Sequence, residues 1–309
     1  MMASLPDPFL LAGPTASGKS TLALVLAEKV GGEIVNADPF QAWRGLGVLT
    51  AQPDRALQAR VPHHLYGILP LDQTRDAASF SAMVGGAIAG LRARGIPAIV
   101  VSGSGLYLRA VTDGFDAGIP ASDPALRAEL EARPPADLLA ELERTDPDEW
   151  ARIDRHNLRR VVRALEIHRL TGQPASVLRR TRDIATPGRP PAGVWLDWDR
   201  RTLADRIAAR TDAMFGPALA AEVHDLPPPD TWCPQARATL GLAEAVAWAA
   251  GTLPRDAAVA EVAARTRQLA RRQLTWFRKT TRLIRFPMEN GEEPSATVSR
   301  LLRLMEGTA

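Results

Sequence analysis

The stretch Gly13-Pro14-Thr15-Ala16-Ser17-Gly18-Lys19-Ser20 decides the fold. It fits the pattern GxxxxGK[ST] and stands where that pattern requires: an apolar run, Phe9 to Ala12, precedes it, and a helix-forming stretch, Lys19 to Val30, follows it. Strand, glycine loop and helix in this order turn successive backbone N–H groups inward on a polyanion. The helix adds its positive end, and Lys19 supplies a point charge. Ser20 is placed to hold a magnesium ion. The loop alone speaks only of phosphate, because a diphosphate ester and the tail of ATP present similar oxygens.

Working outward, Glu33 to Ala37, Ile96 to Val101 and Val194 to Trp198 read as further strands, with a helix over Ala77 to Arg94. The alternation predicts an α/β fold: a P-loop-containing parallel sheet flanked by helices and joined by right-handed crossovers. From Phe115 to Pro191 the chain is rich in helix formers and arginine, and the Pro- and Gly-rich stretch Thr186 to Pro191 closes it. We therefore expect a core in two parts, residues 1–114 and 192–309, interrupted by a helical insertion domain at 115–191. Helical patterns follow at Leu203 to Val223, Ala236 to Ala250 and Asp256 to Arg282, then a short apolar piece, Leu283 to Phe286. Pro227 to Pro229 reads as a turn.

Composition narrows the class. The chain has 309 residues, 46% hydrophobic and 24% charged, which fits a packed globular protein and excludes a wholly disordered one. The single cysteine, Cys233, excludes an internal disulfide and a thiolate metal cluster, so a reducing cytoplasm is expected. No apolar run approaches a membrane span, and the apolar start lacks a basic leader. A net charge of only +3 makes local basic patches matter more than the total.

Three features lie beyond the loop. Asp38 follows the second strand at the C-terminal edge of the sheet, where it can be a general base, a magnesium ligand or a loop-capping residue. Ser102 to Tyr107 follows the third strand; its glycines permit close backbone approach, and Ser104 could bond a ligand. His63-His64 reads as a buried or loop-orienting pair, since neighbouring histidines seldom converge on one ion. Between Arg265 and Arg285 lie eight basic residues and no acidic one, and Arg267, Arg271, Arg278 and Arg282 recur on one helical face. That is the footprint of a phosphate-backbone groove. A second cluster, Arg155, Arg159, Arg160 and Arg163, lies in the insertion, with Arg179, Arg180 and Arg182 after it. Two basic walls beside a sheet edge suggest a cleft for RNA.

Gly13 to Ser20, then Asn36-Ala37-Asp38 with Gln41, Arg44-Gly45 and Thr50-Ala51, resembles the tRNA dimethylallyltransferase family. The similarity continues through Pro62-His63-His64-Leu65, Ser102 to Tyr107, Asp146-Pro147, Arg160 with Arg163 to Glu166, and Arg206 with Arg210 and Met214. It ends at Arg267-Gln268, Arg271-Arg272-Gln273 and Thr275-Trp276-Phe277, so it spans nearly the whole chain. Departures from the family pattern fall at Pro39, Gly47, Gln52, Asn157 and Leu242.

The resemblance implies transfer of a dimethylallyl group from its pyrophosphate to the exocyclic amine of adenosine 37 in the tRNA anticodon stem-loop, with Mg2+ as cofactor. Gly13 to Ser20 would bind the pyrophosphate, with magnesium on Ser20. Arg210 with Thr15 would contact the donor diphosphate, and Asp38 would accept the proton. Contacts to tRNA would come from Asp38, Pro39, Phe40, Gln41, Ser104, Arg127, Arg159, Arg160, Arg163, Arg267, Arg271, Arg272, Gln273 and Trp276. A monomer is expected. The rival readings are an ATP-dependent kinase and a non-enzymatic RNA binder.

Overall fold

The computed structural model describes residues 5–113, 120–178 and 192–307, which fall into two compact units. The first joins Met1–Asp113 with Pro190–Ala309, and the second is Gly114–Arg189. In the first unit the chain runs β1 (Phe9–Ala12), α1 (Lys19–Val30), β2 (Glu33–Asn36), a 3-10 turn (Pro39–Ala42), α2 (Gly47–Thr50), α3 (Arg55–Arg60), β3 (His63–His64), α4 (Ala77–Ala93), β4 (Ala98–Ser102) and α5 (Gly105–Asp113). The second unit holds α6 (Pro124–Glu131), α7 (Pro135–Thr145), α8 (Pro147–Arg152) and α9 (Leu158–Thr171). The first unit then resumes with β5 (Gly193–Asp197), α10 (Arg200–Met214), α11 (Pro217–His224), α12 (Pro234–Arg237), α13 (Leu242–Ala249), α14 (Arg255–Phe277), β6 (Ile284–Pro287) and α15 (Pro294–Glu306).

The six strands form one parallel sheet in the order β3-β2-β4-β1-β5-β6. Both faces are covered, which is why its central strands read as unbroken apolar runs without alternation. Along β1, Leu10 and Ala12 enter one core, with Phe80, Leu203 and Phe277; Phe9 and Leu11 enter the other, with Leu26 of α1 and Leu301 of α15. From β1 the chain crosses to β2 on one side, and after β4 it crosses to β5 on the other. The crevice where ligands of open α/β sheets bind therefore opens at the carboxyl end of β1, where the loop sits.

Several sequence expectations need correction. His63-His64 is itself a strand, pairing Ile34 and Val35 of β2, and the piece after Leu283 is the sixth strand. The pattern from Leu203 to Val223 is two helices, broken where Gly216 caps and Pro217, lacking an N–H, opens the next. The pattern from Ala236 to Ala250 is likewise two, α12 and α13, separated at Gly241. The long basic helix ends at Phe277, with Arg278 as its C-cap, so Arg282 lies beyond it.

The second unit has its own core of Leu130, Leu138, Leu142, Val161 and Leu165. Its fully buried carboxylate, Glu166, accepts hydrogen bonds from Ser122 Oγ (2.6 Å), Asp123 N (2.8 Å) and Arg163 Nη1 (2.7 Å). No helix among the described residues is long and apolar enough to cross a membrane.

Candidate active site

The carboxyl ends of β1, β2, β4 and β5 each deliver one part of the site. After β1 the loop Gly13 to Ser20 wraps onto the N-terminus of α1. Ala16 takes a left-handed φ of 61°, an unfavourable conformation for a residue with a Cβ. Two groups hold it there. Arg206 Nε of α10 donates to Ala16 O at 2.9 Å, and Trp198 Nε1, just past β5, donates to Ser17 O at 2.9 Å. The Arg206 guanidinium lies over the Trp198 ring, 4.6 Å from its centroid, so the two supports brace each other.

Lys19 turns back on its own loop, donating to Gly13 O at 2.8 Å and Pro14 O at 2.7 Å. Desolvation in the crevice lowers its pKa to about 8, the neighbouring Asp38 opposes that shift, and Arg210 adds to it. Arg210 Nη1 donates to Thr15 Oγ1 at 3.2 Å, so its partner lies in the loop. Glu222 of α11 accepts from Val48 N and Leu49 N and so is engaged elsewhere. The Ser17 hydroxyl is buried without a hydrogen-bond partner among the described residues.

β2 delivers Asp38. Asn36, fully buried, accepts from Asp38 N (2.8 Å) and donates to Asp38 O and Leu65 O (both 2.9 Å), which clamps this turn. Asp38 Oδ1 accepts from Phe40 N at 3.1 Å, so the residue also caps the 3-10 turn Pro39–Ala42. Burial raises its carboxyl pKa above the usual value, against the opposing pull of Lys19, the Phe40 N–H and Arg210. Tyr107 is pushed up to about 12 and Tyr66 higher still, in each case by burial and then by the Asp38 charge. Both stay protonated beside the carboxylate.

β4 delivers Gly103, where the parts meet. A Cβ there would lie 2.7 Å from Gln273 Nε2, 3.4 Å from Gly13 O and 3.7 Å from Asp38 Oδ2. Gln273, on α14, bridges loop and turn: its Oε1 accepts from Thr15 N at 2.9 Å, and its Nε2 donates to Gly103 O at 3.0 Å. Two residues on, a Cβ at Gly105 would sit 2.0 Å from Trp276 Cδ2, so the indole occupies the space that glycine leaves. Ser102 Oγ, donating to Ala37 O at 2.7 Å and accepting from Ser104 N at 2.9 Å, ties β4 to the Asp38 turn.

The structure thus brings together Thr15, Lys19, Asp38, Arg210, Gln273 and the turn holding Ser104. Other candidates already have internal partners. Gln41 Nε2 donates to Thr50 O and Ala51 O, holding the turn after α2. In the second unit Arg163 is engaged with Glu166 and Pro120 O, and Arg127 with Glu131 and Ser122. Arg159 and Arg160 there are exposed, as are Phe40 and Arg271 and Arg272 of α14 in the first unit, while Arg267 and Pro39 are half-buried. Arg179, Arg180 and Arg182 lie outside the described residues. Sequence reasoning assigned no role to Trp198 or Arg206. The one available signal was a tryptophan at a strand end, whose indole N–H needs a partner when buried.

No group of three or more His, Cys, Asp or Glu side chains able to hold a metal occurs among the described residues. The Ser20 hydroxyl at the end of the loop and the Asp38 carboxylate, which interacts with Lys19, are the oxygens that would hold one. That suits magnesium, which takes one or two protein oxygens and completes its shell from phosphate and water.

The IPP transferase family profile matches residues 41–280. The chain is 43% identical over 274 residues to the tRNA dimethylallyltransferase of Anaeromyxobacter dehalogenans, covering 87% of this chain and 91% of that protein. It is 39% identical over 282 residues to that of Geobacter metallireducens, covering 89% and 90%. Among solved structures, the tRNA isopentenylpyrophosphate transferase of Bacillus halodurans matches with a TM-score of 0.67 at 29% identity, over 98% of this chain and 96% of that one. A eukaryotic dimethylallyltransferase acting on tRNA shares the fold, with a TM-score of 0.78 at 22% identity over 95% and 76%. With a family profile over most of its length and relatives near 40% identity across it, the chain belongs to the tRNA dimethylallyltransferase, or IPP transferase, family.

Proposed function

We propose that the protein transfers a dimethylallyl group from dimethylallyl pyrophosphate to the exocyclic amine of adenosine 37, 3′ of the anticodon in tRNA. The observation that carries this reading is the carboxylate of Asp38 set against a cationic phosphate loop, with Gly103 packed between them without a side chain. A phosphate cradle alone would serve a kinase equally well. A desolvated carboxylate facing it supplies a proton acceptor for an amine nucleophile.

In the step, the amine nitrogen forms a bond to C1 of the dimethylallyl group, and the bond from C1 to the pyrophosphate oxygen breaks. The electron pair leaves with pyrophosphate, and the amine proton passes to Asp38. Lys19, Arg210 and the loop N–H groups stabilise the charge that builds on the leaving group. Thr15, held between Arg210 and Gln273, fixes the loop for that task. Magnesium held by Ser20 and the phosphate oxygens would add to the same charge stabilisation. The adenosine has to be turned out of its stack to reach Asp38, and Trp276 and Ser104 stand where they could receive it. The arginines of α14, and Arg159 and Arg160 of the second unit, are the proposed RNA contacts. A monomer in a reducing cytoplasm completes the reading.

The test is incubation with dimethylallyl pyrophosphate, magnesium and unmodified tRNA, followed by mass spectrometry of the nucleosides. N6-dimethylallyladenosine is expected only when donor and tRNA are both present. ATP consumption with no prenylated adenosine would instead establish a kinase.

A further inference from the structure

A second cavity lies on another face of the helices that brace the loop. α10 and α14 pack against each other, and between them is a space of about 490 Å³. Arg200, Arg267, Arg271 and Arg278 line it above an apolar floor that includes Leu203 and Leu274. The lining includes none of Thr15, Lys19, Asp38, Gln273 or Trp276. On α14 the lining positions recur every three or four residues, on a face beside the one that turns Gln273 and Trp276 to the site.

Charge and shape identify what fits there. No carboxylate lines the cavity, and no ion pair or side-chain hydrogen bond engages the four guanidinium groups among the described residues. Like charges held together repel, so four uncompensated cations around one space favour an anion within it. Arg267 and Arg278 are about 16 Å apart along the helix axis at 1.5 Å per residue. One diphosphate does not bridge that span, whereas successive phosphates of a nucleic-acid strand do. The volume suits a nucleotide-sized group. An apolar floor beneath arginine planes accepts the face of a base, as single-stranded RNA recognition commonly does.

We propose that this cavity is a second nucleotide site: it holds one unpaired nucleotide of the RNA substrate, other than the one modified. The base lies on the apolar floor, and the flanking phosphates lie on Arg200, Arg267, Arg271 and Arg278. This rests on the reading of the protein as an enzyme acting on tRNA.

The experiment measures binding of an unmodified tRNA transcript to the full-length protein across a salt series, together with the KM values for tRNA and for dimethylallyl pyrophosphate. Arg200→Ala, at an exposed position, is expected to reduce the slope of log affinity against log salt by about 0.7 to 0.9, the loss of one phosphate contact. Ala204→Trp fills the cavity without changing charge and is expected to raise the tRNA KM by about tenfold or more, with no matching rise in the donor KM. An unchanged slope for Arg200→Ala overturns the proposal even if Ala204→Trp fails to fold. So does a parallel rise in donor KM, which would assign the cavity to the donor. Competition of ATP with tRNA in the wild type that disappears in Arg200→Ala would assign a free nucleotide and also overturn it. If the wild-type protein prenylates tRNA while these variants behave like it, only the second site fails. If the wild type neither binds tRNA nor prenylates it, the reading beneath it fails.

Discussion

Asp38 and Lys19 face each other with their charged forms disfavoured by desolvation. For Asp38 the raised pKa means that the proton-accepting form is lost as pH falls through a value above the ordinary 3.8. For Lys19 the charged form is lost as pH rises through about 8, well below 10.5. The profile of kcat/KM for the donor, which reports the enzyme before the donor binds, should therefore fall on both sides, with the alkaline limb near 8. In Lys19→Arg, whose guanidinium stays charged, that limb should disappear. Asp38→Ala should lower kcat by about 10²- to 10⁴-fold while tRNA binding persists in a filter or fluorescence assay. Unchanged turnover would remove Asp38 from the chemistry. These two residues were legible in the sequence because Lys19 belongs to the loop pattern that follows β1 and Asp38 stands just past the apolar β2. Trp198 and Arg206 were not. Their loop partners lie 181 and 190 residues away, and only the pairing of β5 beside β1 brings them there.

Among the elements, α14 joins the most separate parts. Gln273 holds a loop amide, Trp276 fills the space at Gly105, and of the arginines around them Arg267, Arg271 and Arg278 line the second cavity. Gly105→Ala should therefore destabilise by about 1–3 kcal/mol, the usual cost of forcing a methyl into a packed place. Chemical denaturation measures that loss. Pairing it with Trp276→Ala should recover part of it, because the clash is with the indole. Gln273→Ala should raise the donor KM more than the tRNA KM, since its side chain holds Thr15 N–H. The reverse ratio would return Gln273 to the RNA. The sequence showed α14 clearly from its periodicity but not where it stops, because the basic pattern runs past Phe277. β3, two residues long, and β6 were not read as strands because neither carries a period of its own. They exist because β2 and β5 offer them an edge.

For the whole molecule, the insertion was visible as a change in composition, and its independent core has a mechanical meaning. Leu165 is fully buried in that core. Leu165→Ala should cost about 2–5 kcal/mol. Hydrogen exchange should speed up across residues 120–178 while the amides of β1, α1 and β4 keep their protection. Affinity for pyrophosphate should be unchanged and affinity for tRNA reduced. Loss of pyrophosphate binding in that variant would show that the two units do not act separately.

Lys19's bonds to Gly13 O and Pro14 O bear on turnover. A ligand that recruits the ammonium has to displace two internal hydrogen bonds from a charged donor, each worth about 1.5–3 kcal/mol net. Those bonds reform as the ligand departs. Gly13 O and Pro14 O thus give the ammonium acceptors within the loop itself. Product pyrophosphate leaves against a smaller gradient than it would from a loop with a stranded lysine, and the enzyme is returned ready for the next donor.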